Sequence, residues 1–307
     1  MADAFVFSGQ GSQYVGMGAA LLDSHPVARE VFSEADDALG ESLTDLVLQG
    51  PMEKLTLTRN AQPAILALSI AMLRVLEDLG GRFSPVAAAG HSLGEYSALV
   101  AAGALEFSDA VRVVRARGDA MQAAVAEGVG GMAAIMGLDA ETIEKICSES
   151  SQGEVVEIAG HNSPVQTVVA GHLGALDRVI AAAGESGARR SALLQVSAPF
   201  HCSLLEPAGQ ELQGVLEDVE ISSPRFPVIQ NADAQSHEDP DAIRAALVAQ
   251  VSRPVRWVGC VEGMRSLGAD RFLEYGPGRT LSGLIKKMDR SLQTVALDRT
   301  GALEALV

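Results

Sequence analysis

An α/β fold is predicted for this 307-residue chain by three observations. Short apolar runs at Ala4-Phe5-Val6-Phe7, Val86-Ala87-Ala88-Ala89 and Arg271-Phe272-Leu273-Glu274-Tyr275 have the length of buried strands, and stretches of helical period lie between them. The hexapeptide Gly90-His91-Ser92-Leu93-Gly94-Glu95 joins the second run to an apolar stretch, Tyr96 to Ala102, so strand, tight turn and helix follow one another. Residues 132–196 read as β-α-β-β-α-β, the order of a ferredoxin-like subdomain. The α/β pattern resumes after them, so this unit is expected to be an insertion.

Composition bounds the rest. Hydrophobic residues make up 48% and charged residues 20%, enough for a large core and too apolar for disorder. The net charge of −16 argues against nucleic acid or an anionic membrane as a general partner. Cys147, Cys202 and Cys260 are scattered and odd in number, which argues against a disulfide framework or a structural zinc site and for a reducing compartment. Met1-Ala2-Asp3-Ala4 leads directly into a strand without a basic leader, and no apolar stretch reaches about 18 residues. A cytoplasmic protein is expected.

Along the chain, the first strand runs into Ser8-Gly9-Gln10-Gly11-Ser12-Gln13. This loop lacks the Gly-Lys-Ser/Thr of a phosphate loop and the third glycine of a dinucleotide site. Asn60-Ala61-Gln62-Pro63 is expected to open a helix, with Pro63 in its first turn and Gly80-Gly81 as its stop. Ser108-Asp109 is expected to cap another, from 110 to about 126. In the insertion, strands are read at 132–136, 155–159, 167–170 and 191–196, helices at 140–150 and 173–183, and a connection at His161-Asn162-Ser163-Pro164. A strand at 227–231 and helices at 241–250 and 258–267 precede the last strand, 271–275.

Three residue types carry the chemistry. Ser92, with glycine two positions away on each side, fits the G-x-S-x-G nucleophile elbow: a strained turn lifts the hydroxyl clear, and neighbouring side chains would crowd strand against helix. The N–H of Leu93 then points into the same space, and the loop after the first strand, at Gln10, is a second candidate oxyanion donor. Arg117 falls in the middle of the apolar face of its helix, one turn from Val113 and Met121. A guanidinium cannot deprotonate to escape burial, so it requires an anion, either a buried carboxylate of this chain or one on the substrate. His201, on a loop after Pro199, lies downstream of Ser92 in the Ser-before-His order of elbow enzymes and is the candidate base. No acidic residue before His201 qualifies as a third triad member, and a loop carbonyl could orient the imidazole instead. Cys202 has no supporting signature as a nucleophile.

Taken together, Phe7 to Gln13, Gln62-Pro63, Gly90 to Glu95, Arg117-Gly118, Asn162, Phe200-His201, Gln250 and Gly276-Pro277-Gly278 resemble, in order and nearly end to end, the malonyl-CoA:acyl carrier protein transacylases and the acyltransferase domains of fatty acid and polyketide synthases. Two positions depart from the family pattern: Ser8 stands in place of the commoner proline, and Gly160-His161-Asn162 in place of Asn-x-Asn. The resemblance implies an α/β-hydrolase-like large domain (1–126 and 198–307) with an inserted ferredoxin-like small domain (127–197). It implies Ser92 as nucleophile, His201 as base, Gln10 and Leu93 as the oxyanion hole, and Arg117 as the clamp for a malonyl carboxylate. Gln62, His91, Asn162 and Phe200 would line the pocket, Phe200 in the malonyl-selective form, and the Gln250 carbonyl would orient His201. Transfer of malonyl from malonyl-CoA to acyl carrier protein by a monomer without cofactor or metal is the expected activity. The alternatives are a trans-acting acyltransferase of a polyketide synthase or malonate-decarboxylase system, and a serine esterase or thioesterase. Arg189, Arg190, Lys286 and Lys287 form a candidate docking patch for the carrier protein.

Overall fold

The structure, a computed structural model, describes residues 1–81, 84–299 and 301–307. The chain opens with β1 (Asp3–Phe7) and a run of helices, α1 (Ala19–Ser24), α2 (Pro26–Leu39), α3 (Leu43–Gln49), α4 (Met52–Thr56) and α5 (Thr58–Asp78). Next come β2 (Ala87–Gly90), α6 (Gly94–Ala101) and α7 (Phe107–Ala123). A second group comprises β3 (Gly130–Met136), α8 (Ala140–Ser150), β4 (Val156–Ser163), β5 (Gln166–His172), α9 (Leu173–Glu185) and β6 (Arg190–Leu193). The chain ends with α10 (Glu206–Glu217), α11 (Pro240–Ser252), α12 (Trp257–Ser266), β7 (Arg271–Tyr275), α13 (Thr280–Met288) and β8 (Gln293–Ala296).

The molecule is mixed α/β, with one parallel and one antiparallel sheet. The parallel sheet has the order β2-β1-β7-β8. Ala4 to Phe7 of β1 and Ala87 to Ala89 of β2 read as unbroken apolar runs because both faces of the sheet are covered. Along β1 the two-residue period splits the side chains. Phe5 and Phe7 enter the core shared with α5 and α7, while Ala4 and Val6 enter the one built with Trp257 of α12 and Leu284 of α13. Helix α5 is buried around nearly its whole circumference, as a central helix should be. The loops after the carboxyl ends of β1, β2 and β7 carry Gln10, Ser92 and Thr280 to one cavity, where open α/β sheets place their ligands.

The antiparallel sheet has the order β4-β5-β3-β6. Ala133, Ile135 and Val169 on one face pack under α8 and α9 through Ile143, Leu176 and Val179. Met132, Val168 and Ala159 on the other face join the main core and border the cavity.

Several expectations move. Helix α5 begins at Thr58, so Pro63 lies in its second turn. Helix α7 begins at Phe107 with the extended Glu106 as its cap, which puts Asp109 inside the first turn, where a carboxylate favours the helix dipole. His161 and Asn162 are strand residues, because Pro164-Val165 alone makes the turn. Register shifts between Ile158 and Gly160 and between His161 and Ser163 re-aim this part of β4. Strand β6 stops at Leu193, and residues 194–197 leave the sheet to line the cavity. The expected strand at 227–231 makes isolated bridges, Val228 with Ala88 and Ile229 with Ser236. Helices α1 to α4, α10 and α13 and strand β8 are additions that the sequence reading does not contain.

Candidate active site

The elbow follows from sterics. Ser92 has φ 52°, a left-handed conformation that is strained for a residue with a side chain. A Cβ on Gly90 would stand 1.8 Å from the carbonyl carbon of Gly94, and one on Gly94 would stand 2.1 Å from the Phe7 carbonyl oxygen. Both contacts are with backbone, so strand and helix would have to separate. Gly94→Ala is therefore expected to cost about 3 kcal/mol by overpacking. A thermal melt should record this as a fall in Tm of about 6 °C or more.

The candidates that the sequence scatters over the chain meet here. Ser92 Oγ lies 2.7 Å from His201 Nε2, and His201 Nδ1 donates to the main-chain carbonyl of Gln250 at 2.8 Å. That bond leaves Nε2 as the lone-pair nitrogen facing the serine. His201 also has positive φ, 63°, so the loop itself turns the ring inward. Burial, and then the charge of Arg117, push its pKa down to about 3. A group with so low a pKa stays neutral, and competent to accept a proton, throughout the working range. Sulfonylation of Ser92 by the uncharged reagent phenylmethanesulfonyl fluoride should accordingly show no inflection near pH 6.5 between pH 5 and 8. A solvated imidazole would halve the rate there.

The backbone N–H groups of Gln10 and Leu93 have no acceptor among the described residues, and Leu93 stands at the N-terminus of α6. Both are free to receive developing negative charge. Arg117 is 1% exposed and donates to Gln62 Oε1 at 2.6 Å, Gln250 Oε1 at 2.8 Å and Ser92 Oγ at 3.1 Å. Its guanidinium also lies 5.6 Å from the centre of the Tyr96 ring. Among the described residues it forms no ion pair. Between the two anions that the sequence left open, the described residues supply no carboxylate in direct contact with the guanidinium.

His91 Nε2 and Asn162 Oδ1 are 2.9 Å apart, and the half-buried His91 ring lies 5.7 Å from that of Trp257; desolvation lowers its pKa. Phe200 and Met121 form the apolar wall of a cavity of about 350 Å³ that reaches Ser92, Arg117 and His201. Gln62, at the N-terminal end of α5, is fully buried behind it. Cys202 donates to the Pro199 carbonyl, and burial pushes its thiol up to about 12, so it is no nucleophile. Cys147 and Cys260 are likewise free and buried.

Two residues to which the sequence assigns no role complete the site. Asn231 Oδ1 accepts from the Ser92 N–H at 2.7 Å, and its Nδ2 donates to the Gly90 carbonyl at 2.8 Å, bracing the elbow from both sides. Glu95, completely buried, accepts from Gln250 Nε2 and from the Asn231 N–H, both at 2.8 Å. The signal for Glu95 was present: a carboxylate beside the apolar run 96–102 needs partners if that helix is buried.

A serine held against a neutral imidazole, with open N–H donors and a buried cation beside it, can accept an acyl group that bears a carboxylate. Known proteins with similar chains agree. A malonyl CoA-acyl carrier protein transacylase of Salmonella typhimurium is 48% identical over 302 residues, covering 98% of this chain and 97% of that protein. The one of Bacillus subtilis is 43% identical, covering 99% and 96%. An acyl carrier protein S-malonyltransferase of Vibrio cholerae superposes with TM-score 0.97 at 45% identity and full coverage of both chains. A malonyl-transacylase solved in complex with its type II PKS acyl-carrier protein superposes with TM-score 0.97 at 46% identity, covering 100% of this chain and 99% of that one. The acyl transferase domain family matches residues 4–296, and with the site assembled as described, this chain belongs to that family.

Proposed function

We propose that the protein transfers a malonyl group from malonyl-CoA to the phosphopantetheine thiol of acyl carrier protein, through a malonyl-serine intermediate. The observation that carries this reading is Arg117: a buried guanidinium with no carboxylate in direct contact among the described residues, 3.1 Å from the Ser92 hydroxyl. Ser92 Oγ attacks the thioester carbonyl as its proton passes to His201 Nε2, and the N–H groups of Gln10 and Leu93 hold the oxyanion. The C–S bond then breaks, and His201 returns the proton to the CoA thiolate. The carrier thiol gives its proton to His201 and attacks the malonyl-serine, and the C–Oγ bond breaks as His201 passes that proton to Ser92 Oγ. Arg117 grips the free carboxylate, with Gln62, His91, Asn162 and Phe200 shaping the pocket. Serine and histidine carry every step, so neither cofactor nor metal takes part.

We assign residues 1–126 and 198–307 to an α/β-hydrolase-like body and 127–197 to an inserted ferredoxin-like domain, a division that the sheet order β4-β5-β3-β6 supports. The protein is read as a cytoplasmic monomer, and no described helix is long and apolar enough to cross a membrane. Intact mass after incubation with malonyl-CoA tests the function. A single malonyl adduct is expected on the wild type and none on Ser92→Ala; an adduct that survives the substitution would sink the proposal. Extender-unit supply for fatty acid biosynthesis is the role inferred, and likeness to the PKS-associated transacylase gives polyketide assembly as the second reading.

Docking of the acidic carrier protein to a chain of net charge −16 calls for a local basic patch. Met136 pairs with Gln166 on one side and Arg190 on the other, and Lys287 Nζ donates to Gln166 Oε1 at 3.2 Å. Arg189, Arg190 and Lys287 therefore gather at one end of the antiparallel sheet, and Lys286 adjoins them. All four are exposed and without ion pairs among the described residues, and the first turns of α13 line the cavity. The double charge reversal Arg190→Glu, Lys287→Glu is expected to raise the carrier-protein KM about tenfold and leave serine malonylation by malonyl-CoA unchanged. An unchanged KM in steady-state assays would remove the patch.

A further inference from the structure

The completely buried Glu95 has no part in the steps above, yet its carboxylate lies at the centre of the hydrogen bonds that hold the site together. Its Oε2 accepts from Gln250 Nε2 and from the Asn231 N–H, and its Oε1 accepts from Gln230 Nε2 at 3.2 Å. Gln250 matters most. An amide has one donating and one accepting end. With Nε2 committed to Glu95 and to the Ser92 carbonyl, Oε1 must face Arg117, where it accepts at 2.8 Å. Turned the other way, the amide would set its own N–H groups against guanidinium N–H groups and displace the clamp.

We propose that Glu95 is a positioning residue for acyl selectivity: by fixing the orientation of the Gln250 amide, it holds Arg117 where a substrate carboxylate can reach it beside Ser92. The inference rests on the transferase reading and deepens it. Glu95 is the anion that balances Arg117 from behind, one amide removed. At that distance it offsets the buried charge without occupying the face of the guanidinium that the incoming carboxylate needs.

The variant Glu95→Gln keeps the shape and removes the anion. Because an ionised carboxylate is costly to bury, a neutral isostere is compatible with folding. Glutamine can either accept from or donate to Gln250, so the amide loses its charged director and is held by the Ser92 carbonyl and Arg117 alone. Single-turnover acylation of Ser92 by malonyl-CoA and by acetyl-CoA, the latter lacking the carboxylate, gives the readout. The malonyl-over-acetyl ratio of kcat/KM is expected to fall about tenfold, chiefly through a higher KM for malonyl-CoA. A merely structural role for Glu95 would slow both substrates alike and leave the ratio in place, and that result overturns the proposal.

If Glu95→Gln does not fold, the wild-type protein supplies the answer. Burial raises the Glu95 carboxyl to about 7. The titratable groups facing it are Tyr96 on its own helix, Arg117 from α7 and Cys260 from α12. Burial raises the pKa of Tyr96 and of Cys260, and a guanidinium stays protonated, so none of the three changes charge between pH 6 and 8. A protonated Glu95 could donate to Gln250 Oε1 and turn the amide. The ratio should then fall severalfold from pH 8 to pH 6, the CoA phosphates being common to both substrates and cancelling; a level ratio overturns the proposal. Failure of wild-type malonylation altogether would instead remove the transferase reading on which the proposal rests.

Discussion

His201→Ala is expected to slow malonylation of Ser92 by about three to four orders of magnitude, near the upper end of what a positioned general base contributes. The 2.7 Å contact between Ser92 Oγ and His201 Nε2 is the proton's route in both half-reactions. Among the described residues no carboxylate stands behind the imidazole; the Gln250 carbonyl orients it but contributes no full charge. The low pKa of the unliganded protein, about 3, therefore reflects burial and the nearby Arg117. Once a substrate carboxylate neutralises Arg117, one of those two depressing influences is removed. The imidazole of the complex should consequently be more basic than that of the free protein. An acid limb is expected to appear at higher pH in kcat than in kcat/KM. Rapid-quench acylation of the wild type, followed from about pH 2 to pH 8, measures both. Coincident limbs would show that Arg117 does not meet the substrate's charge.

What the sequence could reveal follows the range of the interactions. The elbow is local: a strand, two glycines and a serine within five residues determine it, and the close approaches of Gly90 and Gly94 bear out the steric reading. Arg117 was visible because helical periodicity placed a charge on an apolar face, and burial at 1% exposure agrees. The identity of its partners was not visible. Gln62, Gln250 and Ser92 come from three separate elements, and only the fold brings them together. Gln250 entered the sequence reading through family resemblance alone, since a neutral amide in an ordinary helix carries no periodic or compositional mark. Asn231 is hidden for the same reason, and also because its segment makes isolated bridges in place of the strand expected there. No triad acid was read in the sequence, and among the described residues no carboxylate holds the His201 ring. A main-chain carbonyl does that work, and main-chain atoms leave no trace in composition.

Arg117→Ala is expected to lower kcat/KM for malonyl-CoA by about a hundredfold and to change that for acetyl-CoA far less. A hydrogen bond to a charged group contributes about 1.5–3 kcal/mol, and loss of a two-point grip on a carboxylate in a buried site lies at the upper end of that range. At about 1.4 kcal/mol per factor of ten, such a loss corresponds to roughly two orders of magnitude. The substitution has a second consequence. Gln62 Oε1 and Gln250 Oε1 both lose their donor, so two buried acceptors are left unpaired and the variant should melt several degrees lower. Selectivity separates the two effects, because a destabilised but folded site would slow acetyl and malonyl transfer together. Arg117→Lys sharpens the comparison. Its ammonium keeps the charge but cannot span Gln62, Gln250 and a planar carboxylate at once, so the malonyl preference should be only partly restored. Competition between malonyl-CoA and acetyl-CoA for one Ser92, read from the mass of the acyl-protein, gives the ratio directly. A preference for malonyl retained in Arg117→Ala would assign carboxylate recognition to another group, and with it the step that separates this transferase from an esterase built on the same elbow.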